Sequence, residues 1–156
     1  VWGKYNTIIS NNEVFYMVKV KGRLKNNMSF ESVIDGHKIV MDAVEAFGGD
    51  NEGPTPKKLL LASLIGCTGM DVISILRKMR VEPTDFTIEA EAESSNEHPK
   101  IYSKINLTYV FTGDELPMDK LEKAVSLSQE RYCAVSAMLK DSVSISYSIR
   151  VKTATN

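Results

Sequence analysis

The chain has 156 residues and a mass of 17.4 kDa, enough for one domain with a sizeable core. A formal net charge of -1, with 43% hydrophobic and 25% charged residues, excludes the basic footprint of a nucleic-acid binder. Two cysteines far apart exclude the disulfide framework of a small secreted domain. No basic-then-apolar leader opens the chain, so the expected setting is cytoplasmic and reducing, where a cysteine pair is catalytic or metal-binding. Residues 1–156 read as a single domain, with Val1 to about Ser10 as a loose N-terminal extension.

Period-two alternation marks the strands. Val14, Tyr16, Val18 and Val20 form one face of a first strand, followed by a polar turn over residues 22–27. A second strand is expected over 28–34, a hairpin turn at Asp35-Gly36, and a third strand over 38–44. Residues 48–54 read as a loop. Phe86, Ile88, Ala90 and Ala92 alternate with polar residues in a fourth strand. Ile105, Leu107, Tyr109 and Phe111 line a fifth, and Val143, Ile145, Tyr147, Ile149 and Val151 a last one. Each strand is half apolar and half polar, which predicts sheets with one face on a core and one in water.

Helical regions separate these strands. Thr55-Pro56 opens the first, as a cap followed by proline at the first helical position, and the helix is expected to run to about Arg80. Asp119 and Glu122 suggest a capping box for a second helix, and residues 131–140 read as a further one. The first helix decides the architecture. From Leu59 to Leu76 its side chains are mostly apolar on every side, and the stretch has about the length of a short membrane span. Asp71 and several small polar residues interrupt it, which favours a buried helix. A helix apolar all round must be covered all round, and a second subunit is the simplest source of the missing cover.

Cys67 lies in Gly66-Cys67-Thr68-Gly69, a patch of small residues that lets another group come close. Cys133 lies where the last short helix starts, beside Arg131, and both features would favour a thiolate. Each cysteine is equally readable as a small buried hydrophobe. Asp71, one turn after Cys67, reads as a polar group satisfied at a subunit contact, and its charge would raise a thiol pKa. His37 and His98 could complete a zinc site with the cysteines only by coincidence, since no metal-ligand spacing supports them. No nucleophile-elbow pattern accompanies the serines.

The stretch from Pro56-Lys57-Lys58-Leu59-Leu60 to Gly66-Cys67 resembles the cysteine helix of the OsmC/Ohr superfamily. The stretch from Lys120-Leu121-Glu122 to Glu130-Arg131-Tyr132-Cys133-Ala134-Val135-Ser136 resembles its second signature, most closely in the YhfA-like branch. The resemblance implies an α+β fold in which antiparallel sheets wrap long central helices of an intertwined homodimer. It implies a thiol peroxidase that reduces organic hydroperoxides or hydrogen peroxide, with an antioxidant, stress-response role. Cys67 would attack the peroxide, Cys133 would close a disulfide with it, and an external thiol would reset the pair, with no metal or organic cofactor. The family also places an arginine from the first hairpin beside the reactive cysteine, held by a glutamate early in the long helix. Arg23 is the matching residue. The glutamate is absent, and Lys57 stands at its position, followed by Lys58. That departure keeps a second reading open: a non-catalytic dimer that binds a small apolar or anionic ligand at its interface.

Overall fold

Turn residues and one buried carboxylate shape the first half of the chain. A computed structural model describes residues 6–10 and 13–154, with side chains from residue 17 onward. Residues 1–5, half of the expected N-terminal extension, lie outside the described residues; the other half, Asn6–Ser10, forms β1. β1 pairs antiparallel with β2 (Glu13–Met17). The strand expected over 14–20 thus ends at Met17. Residues 22–27, expected as a turn, are mostly strand: β3 runs Lys21–Asn26. All of β3 is exposed, so no apolar stripe announces it in the sequence. The turn falls one step later, where Asn27 takes a φ of 43°.

β3 pairs with β4 (Ser29–Ile34), and β4 with β5 (His37–Met41), in an antiparallel sheet ordered β3-β4-β5. Asp35 and Gly36 make the expected hairpin turn, with φ of 51° and 85° that match the twist of the flanking strands. β5 stops at Met41 rather than Val44 because Asp42 captures the following loop. Its buried carboxylate accepts the N–H groups of Ala43 at 2.8 Å, Asp50 at 3.0 Å and Glu52 at 3.1 Å. These bonds hold its carboxyl below the usual range, against the opposing effect of burial.

The chain divides into two compact units, Val1–Leu59 and Leu60–Asn156. Helix α1 (Pro56–Lys78) begins at the end of the first, with proline at its first position and the carbonyl of Thr55 accepting from Lys58 and Leu59. The second unit is a layer of helix on sheet. β6 (Asp85–Ser94) runs antiparallel to β7 (Tyr102–Thr112), but β8 (Ser144–Lys152) runs parallel to β7. This sheet is therefore mixed, not antiparallel as expected. A parallel neighbour needs a long crossover, and the helices between β7 and β8 supply it.

Leu64, Thr68, Val72 and Leu76 recur every four residues and form the buried stripe of α1. Leu64, Val72 and Leu76 share one core with Ile105, Leu107, Tyr109 and Phe111 of β7. Phe86 stacks on Phe111 with centroids 4.5 Å apart. α2 (Met118–Leu127) adds Leu121, Ala124 and Val125, as its periodicity predicts. Its capping box does not form: Pro117 is the cap residue and Asp119 lies inside the first turn. Nor is α1 covered on all sides within one chain, for Met70 is 72% exposed. By length and composition α1 could also cross a membrane, yet its stripe belongs to a packed core.

Candidate active site

Two sequence-distant elements converge on α1. A single π-helical turn, Ser128–Tyr132, follows α2, closed by a bond from Cys133 N–H to the Ser128 carbonyl at 2.8 Å. Such wide turns recur at functional sites, because the added residue re-aims the side chains beyond it. Cys133 then adopts an extended conformation and caps α3 (Ala134–Leu139), its sulfur accepting the Ser136 N–H at 3.4 Å. The helix expected over 131–140 thus starts at Ala134.

Cys67 Sγ, Cys133 Sγ and a carboxylate oxygen of Asp71 all lie within 4.8 Å of one another. Cys67 and Asp71 are one helical turn apart, which places them on one face. Both are half-buried, whereas Cys133 is only 2% exposed. Both cysteines are free thiols. Burial pushes the Cys133 thiol up, the bonds to Ser136 partly offset this, and the neighbouring Cys67 adds to the rise. The helix start does contact the sulfur, but burial outweighs it, and Arg131 is exposed. The thiolate expected at Cys133 is therefore disfavoured.

Behind the cysteines lies a buried polar network that no sequence motif announced. Thr68 Oγ1 meets Tyr109 OH at 2.6 Å and Ser128 Oγ at 2.9 Å. Gln129 Nε2 donates to Tyr109 OH at 2.7 Å and to Thr68 Oγ1 at 3.0 Å, while its Oε1 accepts from Ser136 Oγ at 3.1 Å. Ser128 Oγ also donates to Asp71 Oδ2 at 3.3 Å. Asp71 thus has a partner within its own chain. Burial pushes the Tyr109 phenol up to about 12, with the bonds to Thr68 and Gln129 pulling the other way. The one signal in the sequence was Thr68 itself, a polar residue at a stripe position.

Arg23 lies in the first unit, on β3, where its Nη2 is 2.7 Å from Glu31 Oε1 on β4. Lys57 and Lys58 sit exposed in the first turn of α1, which carries no acidic residue. The group of converging ligand atoms contains no histidine.

A mixed sheet backed by a long helix, with one cysteine on that helix and a second heading a short one, defines an α+β protein of the paired-cysteine kind. The profile described as OsmC-like protein matches residues 49–148. The chain belongs to the OsmC-like family. Protein YhfA of Escherichia coli K12 is 35% identical over 116 residues, covering 74% of this chain and 84% of that protein. A hypothetical protein from Aquifex aeolicus VF5 is 35% identical, with a TM-score of 0.73 over 86% of this chain and 96% of its own. An organic hydroperoxide resistance protein OsmC from Legionella pneumophila shares the fold: its TM-score is 0.66 at 18% identity, over 88% of this chain and 99% of its own.

Proposed function

We propose that the protein is a cysteine-based thiol peroxidase that reduces organic hydroperoxides or hydrogen peroxide in a reducing, cytoplasmic setting. The observation that carries this reading is the convergence of the Cys67 and Cys133 sulfurs within 4.8 Å, in a protein that holds both as free thiols. Closing a disulfide requires the two sulfurs to approach to ~2.05 Å.

Exposure divides the labour. Half-buried Cys67 meets the peroxide, and buried Cys133 waits behind it. The Cys67 thiolate attacks one peroxide oxygen, a sulfur–oxygen bond forms, the O–O bond breaks, and the alkoxide takes a proton and leaves as alcohol. The Cys133 sulfur then attacks the sulfenic sulfur. The S–S bond forms, the S–O bond breaks, and the departing hydroxide takes the Cys133 proton and leaves as water. Two electrons have passed from the thiols to the peroxide, and exchange with an external thiol restores them. A raised pKa suits the second role, since Cys133 stays a thiol until its partner is oxidised. By the family pattern Arg23, which pairs with Glu31 on its own sheet, is the residue that would orient the peroxide.

The working unit in this reading is an intertwined homodimer. In the described part of the first unit the buried side chains are polar, among them Ser29, Glu31, Ser32 and Asp42. Phe30, Val33 and Phe47 are 47%, 50% and 79% exposed. Phe30 and Val33 point to opposite faces of β4 and Phe47 lies beyond β5, so apolar side chains stand exposed on both sides of this sheet. In the second unit a groove of about 950 Å³ runs along α1, lined by Ile65, Met70, Ile73 and Ile88. A second copy supplies the apolar cover that both surfaces need.

Treatment of the reduced protein with one equivalent of an organic hydroperoxide tests the assignment. Mass spectrometry should find an internal Cys67–Cys133 disulfide. Two reduced thiols in a folded protein would replace the peroxidase with a dimer that binds a small apolar or anionic ligand.

A further inference from the structure

The disulfide cycle uses two sulfurs, but three ligand atoms converge. Asp71 brings a carboxylate oxygen to within 4.8 Å of both thiols, so two sulfurs and one hard oxygen point at one spot. A divalent cation is attracted to all three groups and draws the thiols into their anionic form. We infer that the reduced protein holds a borderline-soft divalent cation, zinc foremost, through Cys67 Sγ, Cys133 Sγ and one Asp71 oxygen, with the fourth position open.

The placement fits such a site in three respects. Cys67 and Asp71 stand at i and i+4 on a helix, a spacing that presents two ligands on one face, and Cys133 arrives from a separate element. A tetrahedral zinc with sulfur at ~2.3 Å and oxygen at ~2.0–2.2 Å needs its ligand atoms roughly 3.4–3.8 Å apart, an adjustment of about 1 Å or less per side chain. The donor set of two thiolates and one carboxylate selects zinc over the hard cations magnesium and calcium.

Outer partners already aim the ligands. Ser128 Oγ donates to Asp71 Oδ2 at 3.3 Å, and the Ser136 N–H donates to Cys133 Sγ at 3.4 Å. Ser128 is itself fixed by Thr68, 2.9 Å away in the buried network. Oriented groups of this kind tune a metal site as much as its direct ligands do. Cys133 is buried while Cys67 and Asp71 are half-exposed, so the open position faces the side from which a cation enters. Coordination and the disulfide exclude each other, since a disulfide offers no thiolate. Bound metal would mask the pair, and oxidation would release it.

The full chain, reduced and stripped with a chelator, is titrated with zinc against a chromophoric competitor of micromolar affinity, and with cobalt by absorption. The expected result is one metal per chain, a sulfur-to-cobalt charge-transfer band, and protection of Cys67 from alkylation by zinc. Asp71→Asn, with both thiols present and its circular dichroism unchanged, should weaken zinc binding by roughly tenfold or more. Zinc lost wholly to the competitor overturns the site. So does parental affinity in Asp71→Asn, which would mean capture by the thiols alone. Alkylation protection is read on the parent protein, so it decides the matter even if the variant folds poorly. No peroxide enters this experiment, and its outcome is independent of the peroxidase assignment.

Discussion

Arg23 and Glu31 stand directly opposite each other across β3 and β4, and their side chains close to 2.7 Å. The arginine's charge-assisted bond holds the Glu31 carboxyl below its ordinary value of 4.5, with burial opposing and Lys38 and Lys25 assisting. A depressed carboxylate pKa makes the pair fully formed above 4.5 and lost only as pH falls through the lower folded value. If Arg23 orients the peroxide, Arg23→Ala slows sulfenate formation on the order of a hundredfold while the protein stays folded. Glu31→Gln keeps the cation but loosens it, and should raise KM more than it lowers kcat. Parental peroxide kinetics in Arg23→Ala would remove it from the site.

Cysteine replacement should be asymmetric. Cys67→Ser abolishes peroxide consumption, because a serine hydroxyl is not ionised at neutral pH. Cys133→Ser still permits the first attack and leaves a sulfenic acid at Cys67 that a dimedone probe traps. That variant then over-oxidises, since no thiol converts the sulfenate to a disulfide. Equal loss of the first step in both variants would contradict the assigned order of attack.

The polar network predicts a stability effect and a titration. Thr68→Val leaves Tyr109, Ser128 and Gln129 each short of a partner in a buried place, which costs about 1–3 kcal/mol. Thermal unfolding should shift down by roughly 2–4 °C per kcal/mol. Tyr109 should ionise near 12 in an ultraviolet pH titration. Its raised pKa favours the folded state fully below the ordinary value of 10.0, and that advantage disappears as pH rises toward 12.

Assembly is testable at one exposed position. Met70 is 72% exposed on α1 and borders the apolar groove. The parent should sediment as a tight dimer with a core-like interface well above ~2,000 Å². Met70→Glu should shift it toward monomer at micromolar concentration. A folded parental monomer would refute the shared architecture.

Lys57 and Lys58 place two cations in a helix turn that carries partial positive charge. If the placement is functional, replacing both with glutamate changes peroxide preference or weakens binding of an anion. Unchanged kinetics with a small gain in melting temperature would make them a tolerated surface feature.

The legible parts of this fold were those written as local patterns. Thr55-Pro56 marked where α1 begins, Asp35-Gly36 gave the hairpin turn, and alternation in β6 gave its side-chain faces. In β7 alternation misled, because Leu107 to Phe111 are buried on both faces rather than half in water. Strand direction was illegible, because alternation is the same whichever way a strand runs, and β8 proved parallel to β7. β3 was hidden because all its residues are exposed and Leu24 alone is a large apolar one. Cys67 and Cys133 were legible as a pair through the family motifs around them. The partners that define their surroundings were not. Thr68, Tyr109, Ser128, Gln129 and Ser136 come from separate elements, and their bonding depends on packing that no single segment encodes. The raised pKa of Cys133 has the same origin, since burial is a property of the whole core.

The wide turn at Ser128–Tyr132 sets the aim of the second sulfur by counting residues. Each helical residue turns the chain by about 100°, so deleting one from this segment would swing Cys133 most of a third of a circle around the axis. The side chain would be unchanged and the pair would be lost. An insertion would do the same in the opposite sense. For the pairing of the two sulfurs, the length of this short segment is thus a stricter requirement than the identity of its exposed residues, such as Glu130 and Arg131.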